Sequence, residues 1–67
     1  MTTGEKILAL LRSIGKSPRW LSLQIAMPYT NLNESIKGIR LWRSGELERV
    51  AEALGVNVDE LRNQGES

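Results

Sequence analysis

The sequence predicts a compact all-α domain of five helices, and three observations favour this class. Apolar residues recur three and four positions apart along most of the chain, which is the spacing of one face of a helix. Glycine or proline separates the apolar segments, and both residues are typical of helix boundaries. No segment alternates apolar and polar residues as a half-buried strand does. With 67 residues, the chain has room for one domain with one modest core.

The first two predicted helices have recognisable boundaries. The first is expected from about Gly4 to Ile14, with Thr3 as its N-cap, and Gly15 ends it. A serine and a proline at positions 17 and 18 form a cap and a first-turn proline, which predicts the start of the second helix. The residues of these helices expected to face the core are Ile7, Leu10, Leu11, Ile14, Leu21 and Ile25.

Pro28 separates the second helix from the third. Proline lacks an amide hydrogen and biases the residue before it, here Met27, away from helical dihedral angles. We therefore predict a turn at these two residues. The third helix is expected from Tyr29 to Lys37, with Gly38 as its C-terminal cap. The result is a pair of short helices around a tight turn.

Two more helices are predicted in the last third of the chain. Ser44 is the expected cap of the fourth helix, and Gly55 ends it. Asn57 followed by Glu60 resembles a capping box, which predicts a short fifth helix. Residues 63–67 are polar and are expected to fray, so the predicted domain covers residues 1–62. The residues expected to face the core are Leu47, Val50, Ala51, Leu54, Val58 and Leu61.

The composition disfavours an enzyme. The chain has neither cysteine nor histidine, which removes the usual zinc ligands, the commonest general base and the thiol nucleophile, so we expect no metal and no cofactor. Glu48 and Glu52, one helical turn apart, are interpreted as part of a solvated acidic face. The longest apolar run, residues 7–11, is far shorter than the roughly 20 residues that cross a bilayer. A cytoplasmic protein without membrane association is predicted.

Charge is distributed unevenly along the chain. Residues 12–43 contain six cations and one anion, a net charge of +5. Residues 44–67 contain two cations and six anions, a net charge of −4. This asymmetry favours a first segment that faces a polyanion, with chance segregation in a short chain as the alternative.

Four segments resemble the Cro/repressor helix-turn-helix family, also called the XRE family. They are Gly4-Glu5-Lys6-Ile7, Gly15-Lys16-Ser17-Pro18 with Leu21, Leu32 to Gly38, and Ala51 to Val56 with Asp59-Glu60-Leu61. The last is the most specific, and the resemblance extends from about Gly4 to Leu61. It implies a lambda-repressor-like fold in which the second and third helices form the helix-turn-helix. It also implies a transcriptional regulator, repressor or Cro-like, of phage or prophage origin.

The resemblance further implies which residues contact double-stranded DNA. The third helix would enter the major groove of operator DNA, and a homodimer would bind an inverted repeat. Asn33 can pair with adenine, Glu34 can accept from cytosine, and Thr30 can contact a thymine methyl group. Ordinary solvated surface positions are the alternative interpretation of these residues. The implied base contacts are Tyr29, Thr30, Asn33 and Glu34, and the implied backbone contacts are Lys16, Ser17, Arg19, Lys37, Arg40 and Arg43.

The sequence departs from the family pattern at two kinds of position. Ala26 occupies a turn position where the family usually has glycine, because one residue there adopts a left-handed conformation. A β-carbon at such a position costs roughly 1 kcal/mol. Apolar residues also occur where the family is usually polar, and these are Leu8, Trp20, Leu23, Ile39 and Trp42.

Trp20, Leu23 and Met27 form a second apolar stripe on the second helix. Such a stripe either enlarges the core of a small domain or contacts a partner, because exposed apolar patches often mark interfaces. A protein-binding module, antirepressor-like or antitoxin-like, that engages another regulatory protein is therefore the alternative function. The residues expected at a dimer or partner interface are Trp20, Leu23, Trp42 and Leu61.

Overall fold

The computed structural model describes residues 1–62, and over this range the chain is helical with no strand. The predicted all-α class is confirmed. The predicted fifth α-helix is wrong, because its segment forms only one short turn with hydrogen bonds between residues three apart. The predicted frayed tail, residues 63–67, lies outside the described residues. The elements are α1 (Thr3–Ser13), α2 (Pro18–Gln24), α3 (Tyr29–Ile36), α4 (Glu46–Leu54) and a 3-10 helix (Val58–Glu60).

Helix α1 begins one residue earlier than predicted. Its N-cap is Thr2 rather than Thr3, and Thr3 is buried. The reason is the position of Glu5, which lies three residues after Thr2 and completes a capping box with it. The Thr2 amide donates to the Glu5 carboxylate at 2.8 Å, and the Glu5 amide donates to the Thr2 hydroxyl at 3.2 Å. The bond from the Thr2 amide stabilises the charged carboxylate and so lowers the pKa of Glu5.

All four α-helices end in the same hydrogen-bonded motif. In each, the residue after the one with positive φ donates its amide to a carbonyl five residues earlier, which is the Schellman arrangement. The pairs are Lys16 to Leu11 at 2.9 Å, Met27 to Ser22 at 3.0 Å, Ile39 to Glu34 at 2.9 Å, and Val56 to Ala51 at 3.0 Å. The motif requires a residue with positive φ at the end of the helix. Three of the helices supply glycine at this position, and α2 supplies Ala26.

Ala26 has φ of 55°, and it is the one non-glycine residue with positive φ within residues 1–62. The prediction that alanine occupies the left-handed position of the turn is confirmed. Packing holds it there, because the next residue, Met27, is buried in the core. The Arg49 guanidinium also donates to the Ile25 carbonyl at 3.4 Å, which ties α4 to the end of α2.

We expect Ala26→Gly to raise the free energy of unfolding by up to about 1 kcal/mol. Glycine removes a left-handed penalty of about 1–2 kcal/mol, and its greater freedom in the unfolded chain offsets about 0.4–1 kcal/mol of that gain. Thermal unfolding followed by circular dichroism is the measurement. The matched control is Ala9→Gly at an exposed position inside α1, which should cost about 0.5–1 kcal/mol. Destabilisation by both variants would contradict the strain at Ala26.

Helix α4 begins at a glycine rather than at the predicted serine. Its N-cap is Gly45, with φ of 85°, and no side chain caps it. The prediction that Ser44 caps α4 is therefore wrong. The carboxylate of the first helical residue, Glu46, turns back to bind the preceding segment instead, accepting a bond from the Arg43 amide at 2.7 Å.

The core forms where α1, α2, α3 and α4 meet. Its buried apolar residues are Ile7, Leu11, Leu21, Ile25, Met27, Leu32, Ile36, Val50, Ala51 and Leu61. Gly4 brings the start of α1 against the end of α3, since a β-carbon there would overlap the carbonyl oxygen of Ile36. Leu61 is completely buried, so its prediction as an interface residue is wrong. None of the helices in residues 1–62 is long and apolar enough to cross a bilayer.

Candidate nucleic-acid interface

Helix α3 has one face in the core and one at the surface. Leu32, Ser35 and Ile36 are buried, as their positions in the helical repeat predict. The residues predicted to contact bases lie on the other side: Tyr29 and Thr30 are exposed, and Asn33 and Glu34 are half-buried. Lys37 is exposed at the C-terminal end of the same face. Helix α3 therefore presents hydroxyl, amide and carboxylate groups together, with a cation at one end.

The start of α2 brings two cations beside aromatic rings. The Arg19 guanidinium lies 4.7 Å from the centre of the Tyr29 ring, which joins the surface of α2 to the first residue of α3. Lys16 lies 5.5 Å from the centre of the Trp20 ring. Such contacts attract a cation to the face of the ring and restrict a long side chain. They hold both positive charges on the surface formed by the two helices.

Ser17 acts as a helix cap in this structure. Its hydroxyl accepts a bond from the Trp20 amide at 3.1 Å, and Pro18 follows as the first residue of α2. Both features match the predicted start of the helix. The exposed Ser17 side chain lies between Lys16 and Arg19 in the sequence, so the cap and the two cations occupy one short stretch.

Arg40 is placed differently from a phosphate contact. Its guanidinium forms two bonds of 2.9 Å with the carboxylate of Glu46 and one of 2.9 Å with the hydroxyl of Ser35. The side chains of the ion pair are 19% and 16% exposed, so the positive charge is turned inward and neutralised. The hydrogen bond from Arg40 lowers the pKa of Glu46, and the same bond raises the pKa of Arg40. This placement disfavours the predicted contact of Arg40 with the DNA backbone.

Sequence reasoning missed the partners of Arg40. Ser35 lies on α3 and Glu46 on α4, whereas Arg40 lies in the connection between these helices. The available signal was a pair of opposite charges six residues apart that bracket a short connection between helices. The four other predicted cations, Lys16, Arg19, Lys37 and Arg43, are exposed.

The second apolar stripe predicted on α2 is divided in the structure. Met27 belongs to the core, Trp20 is half-buried against it, and Leu23 is 75% exposed. The tryptophan thus enlarges the core, as one of the two interpretations predicted, while Leu23 lies at the surface. Leu23 is the member of the stripe that a partner would meet.

Two more exposed apolar residues lie in the connection between α3 and α4. Ile39 is 73% exposed and Leu41 is 87% exposed, and the sequence analysis singled out only the first. Trp42 follows them and is half-buried against the core. Leu41 and Trp42 line a groove of about 390 Å³ whose opposite wall includes the start of α1. The connection therefore shows apolar surface beside the exposed cations Lys37 and Arg43.

Apart from Glu5, the exposed acidic residues within residues 1–62 lie in α4 and after it. Arg62 bridges two of them, with its guanidinium 3.5 Å from the Glu48 carboxylate and 3.8 Å from the Asp59 carboxylate. Glu52 and Glu60 are exposed nearby in the sequence.

No protein-family model, curated protein or solved structure matches the chain. The functional interpretation therefore depends on the geometry and charge described above.

Proposed function

We propose that the protein is a transcriptional regulator that binds double-stranded operator DNA sequence-specifically as a homodimer. The observation that carries this proposal is the surface of α3, which shows Tyr29, Thr30, Asn33 and Glu34 on the face opposite the core. An α-helix fits the major groove, where side chains of these kinds distinguish base pairs by hydrogen bonds and methyl contacts. We propose a lambda-repressor-like mode of binding in which α3 occupies that groove.

The exposed cations fit the path of the phosphate backbone on either side of such a helix. Lys16 and Arg19 lie at the start of α2, and the stacking of Arg19 on Tyr29 connects them to the first turn of α3. Lys37 and Arg43 follow the end of α3. Cations of this kind supply affinity that does not depend on sequence, while the side chains of α3 select the bases.

A homodimer is favoured by the size of the protomer. Its longest dimension is 28 Å, which is less than the roughly 34–36 Å of one turn of DNA, so one copy reaches one half-site. We propose that Ile39, Leu41 and Trp42 form the contact between copies. The exposed side chains of Ile39 and Leu41 support this surface. The ion pair of Arg40 supports it too, because an unpaired Arg40 beside a two-fold axis would repel the Arg40 of the second copy.

Selection of tight binders from a random double-stranded DNA pool at near-physiological salt tests the proposal. We expect enrichment of an inverted repeat whose half-sites are about one helical turn apart. Enrichment of a single half-site would contradict the dimer and leave sequence-specific binding standing. Failure to enrich any sequence would contradict DNA readout.

Asn33→Ala is expected to relax preference at one base position of each half-site and to cost about 1–3 kcal/mol there. The amide can pair with adenine through two hydrogen bonds that alanine lacks. Lys37→Ala is the comparison, because removal of a phosphate contact weakens all sequences alike. Binding measured against single-base variants of the selected site separates the two patterns. Equal losses on all sequences from both variants would remove Asn33 from the readout.

Leu41→Glu is expected to shift the protein toward a monomer. The substitution places two like charges in the proposed contact between copies, where they also lose hydration. Sedimentation equilibrium, alone and with the selected DNA, is the measurement. Leu8→Glu, an exposed position on α1, is the matched control and should leave the association constant unchanged. A dimer that survives Leu41→Glu would place the contact elsewhere.

A protein-binding module of the antirepressor or antitoxin type is the second candidate. The exposed Leu23 on α2 favours it, because this apolar side chain lies apart from the surface of α3 and from the Ile39 and Leu41 pair in the sequence. The partner would be another regulatory protein that covers Leu23. Such a complex depends on apolar contact rather than on phosphate neutralisation, so its salt dependence distinguishes the two functions.

A further inference from the structure

The connection between α3 and α4 is anchored at both ends, although its two apolar side chains are exposed. At the α3 end, the amides of Ile39 and Arg40 both donate to the carbonyl of Glu34, at 2.9 and 3.2 Å. At the α4 end, the Arg43 amide donates to the carboxylate of Glu46 at 2.7 Å. The backbone that carries Ile39 and Leu41 is therefore tied to both neighbouring helices.

The Arg40 side chain joins these two anchors. Its guanidinium reaches Ser35, which is 2% exposed on α3, and both carboxylate oxygens of Glu46 on α4. A two-bond contact between arginine and a carboxylate fixes orientation as well as distance, which lysine cannot reproduce. The ion pair of Arg62 with Glu48 differs, because its atoms are 3.5 Å apart and its side chains are 58% and 53% exposed.

We propose that the pair of Arg40 and Glu46 is a positioning device that fixes the Ile39 and Leu41 contact relative to α3 and so sets the half-site spacing the dimer accepts. This inference rests on the proposed dimeric DNA-binding function. Insertion of one base pair between half-sites moves the second site by about 3.4 Å and rotates it by about 35° around the helix axis. A dimer whose contact is fixed to its recognition helices cannot follow that movement.

The experiment uses duplexes that carry two copies of the selected half-site at separations changed one base pair at a time. The wild-type protein should prefer one separation over its neighbours by about tenfold or more. Arg40→Met, Arg40→Lys and Glu46→Gln should each reduce that preference to below about threefold, while affinity for a single half-site stays within about threefold of wild type. A thermal melt establishes that each variant is folded, and Arg40→Lys decides the outcome if Arg40→Met unfolds.

The matched controls are Arg62→Met and Glu48→Gln, which remove the same groups from the exposed ion pair and should leave the spacing preference intact. A folded Arg40 or Glu46 variant with the wild-type spacing profile overturns the inference, even if it binds every duplex more weakly. That result leaves the proposed function standing. If the wild-type protein enriches no DNA sequence at all, the proposed function itself fails, and the inference fails with it.

Discussion

Gly4→Ala is expected to destabilise the domain by about 3 kcal/mol. The new β-carbon would overlap the carbonyl oxygen of Ile36 and lie 2.7 Å from its carbonyl carbon. Both atoms belong to the backbone, so α1 and α3 must separate, and overpacking of this kind lies at the upper end of the usual 1–3 kcal/mol. A domain of this size has only about 3–10 kcal/mol of stability. Thermal unfolding should show a fall in Tm of about 12–24 °C.

The matched control for Gly4→Ala is Gly15→Ala. Gly15 has φ of 71° but has no heavy atom within 4 Å of the position of a β-carbon, so alanine meets backbone strain without overlap. This variant should cost up to about 1 kcal/mol, because the lower freedom of alanine in the unfolded chain offsets part of the left-handed penalty. A loss from Gly4→Ala no larger than that of the control would mean that α1 does not approach the end of α3 as closely as described.

Raising the salt concentration from 50 to 200 mM is expected to weaken binding to the selected DNA by about 10³–10⁵-fold. Each protomer shows four exposed cations near the proposed interface, Lys16, Arg19, Lys37 and Arg43. A dimer that neutralises about eight phosphates releases a counterion at nearly every one, which predicts a slope of about −7 in a plot of log affinity against log salt. Fluorescence anisotropy of the labelled duplex across the salt range measures this slope.

Single variants test which charges contribute to that slope. Lys37→Ala should make it shallower by about 2, since a dimer loses two phosphate contacts. Arg62→Ala, which changes a cation already bridged to Glu48 and Asp59, should leave it unchanged. A shallow slope for the wild-type protein, combined with tight capture of a protein partner that Leu23→Ala abolishes, would favour the protein-binding module instead.

The C-terminal ends of the helices and the break at Pro28 were the most predictable parts of the fold. Gly15, Gly38 and Gly55 each follow the end of a helix, as the sequence indicated. The proline at position 28 separates α2 from α3, as predicted. These features depend on local dihedral preferences, which a sequence states directly.

Features that depend on a distant partner were less predictable. The N-cap of α1 is a different case, because the pairing of Thr2 with Glu5 is a local signal that the prediction of Thr3 overlooked. Leu61 and Leu41 are both apolar residues near polar ones, yet one is completely buried and the other is 87% exposed. Their burial is set by packing across the whole domain.

In the candidate site too, features set within one helix were predictable from the sequence, and features set by contact between segments were not. Helical periodicity was enough to place Asn33 and Glu34 opposite the core, because it depends only on positions along one helix. Counting charges was not enough for Arg40, since a count cannot show that a guanidinium and a carboxylate on different segments meet at 2.9 Å. Neutralisation of a cation is a property of the folded chain, which a charge count along the sequence does not contain.

The alanine at position 26 bears on whether α2 and α3 could keep their turn as an isolated pair of helices. A short peptide containing α2 and α3 has no local reason to adopt the left-handed turn, because alanine disfavours it by about 1–2 kcal/mol. Isolated helices of seven and eight residues are also too short to persist in water. The turn is stabilised by burial of Met27 in the core and by the bond from Arg49, on α4, to the Ile25 carbonyl. A peptide of α2 and α3 would lack both. The geometry of the α2 and α3 pair therefore depends on the rest of the domain, and a peptide of these two helices alone is expected to lose it.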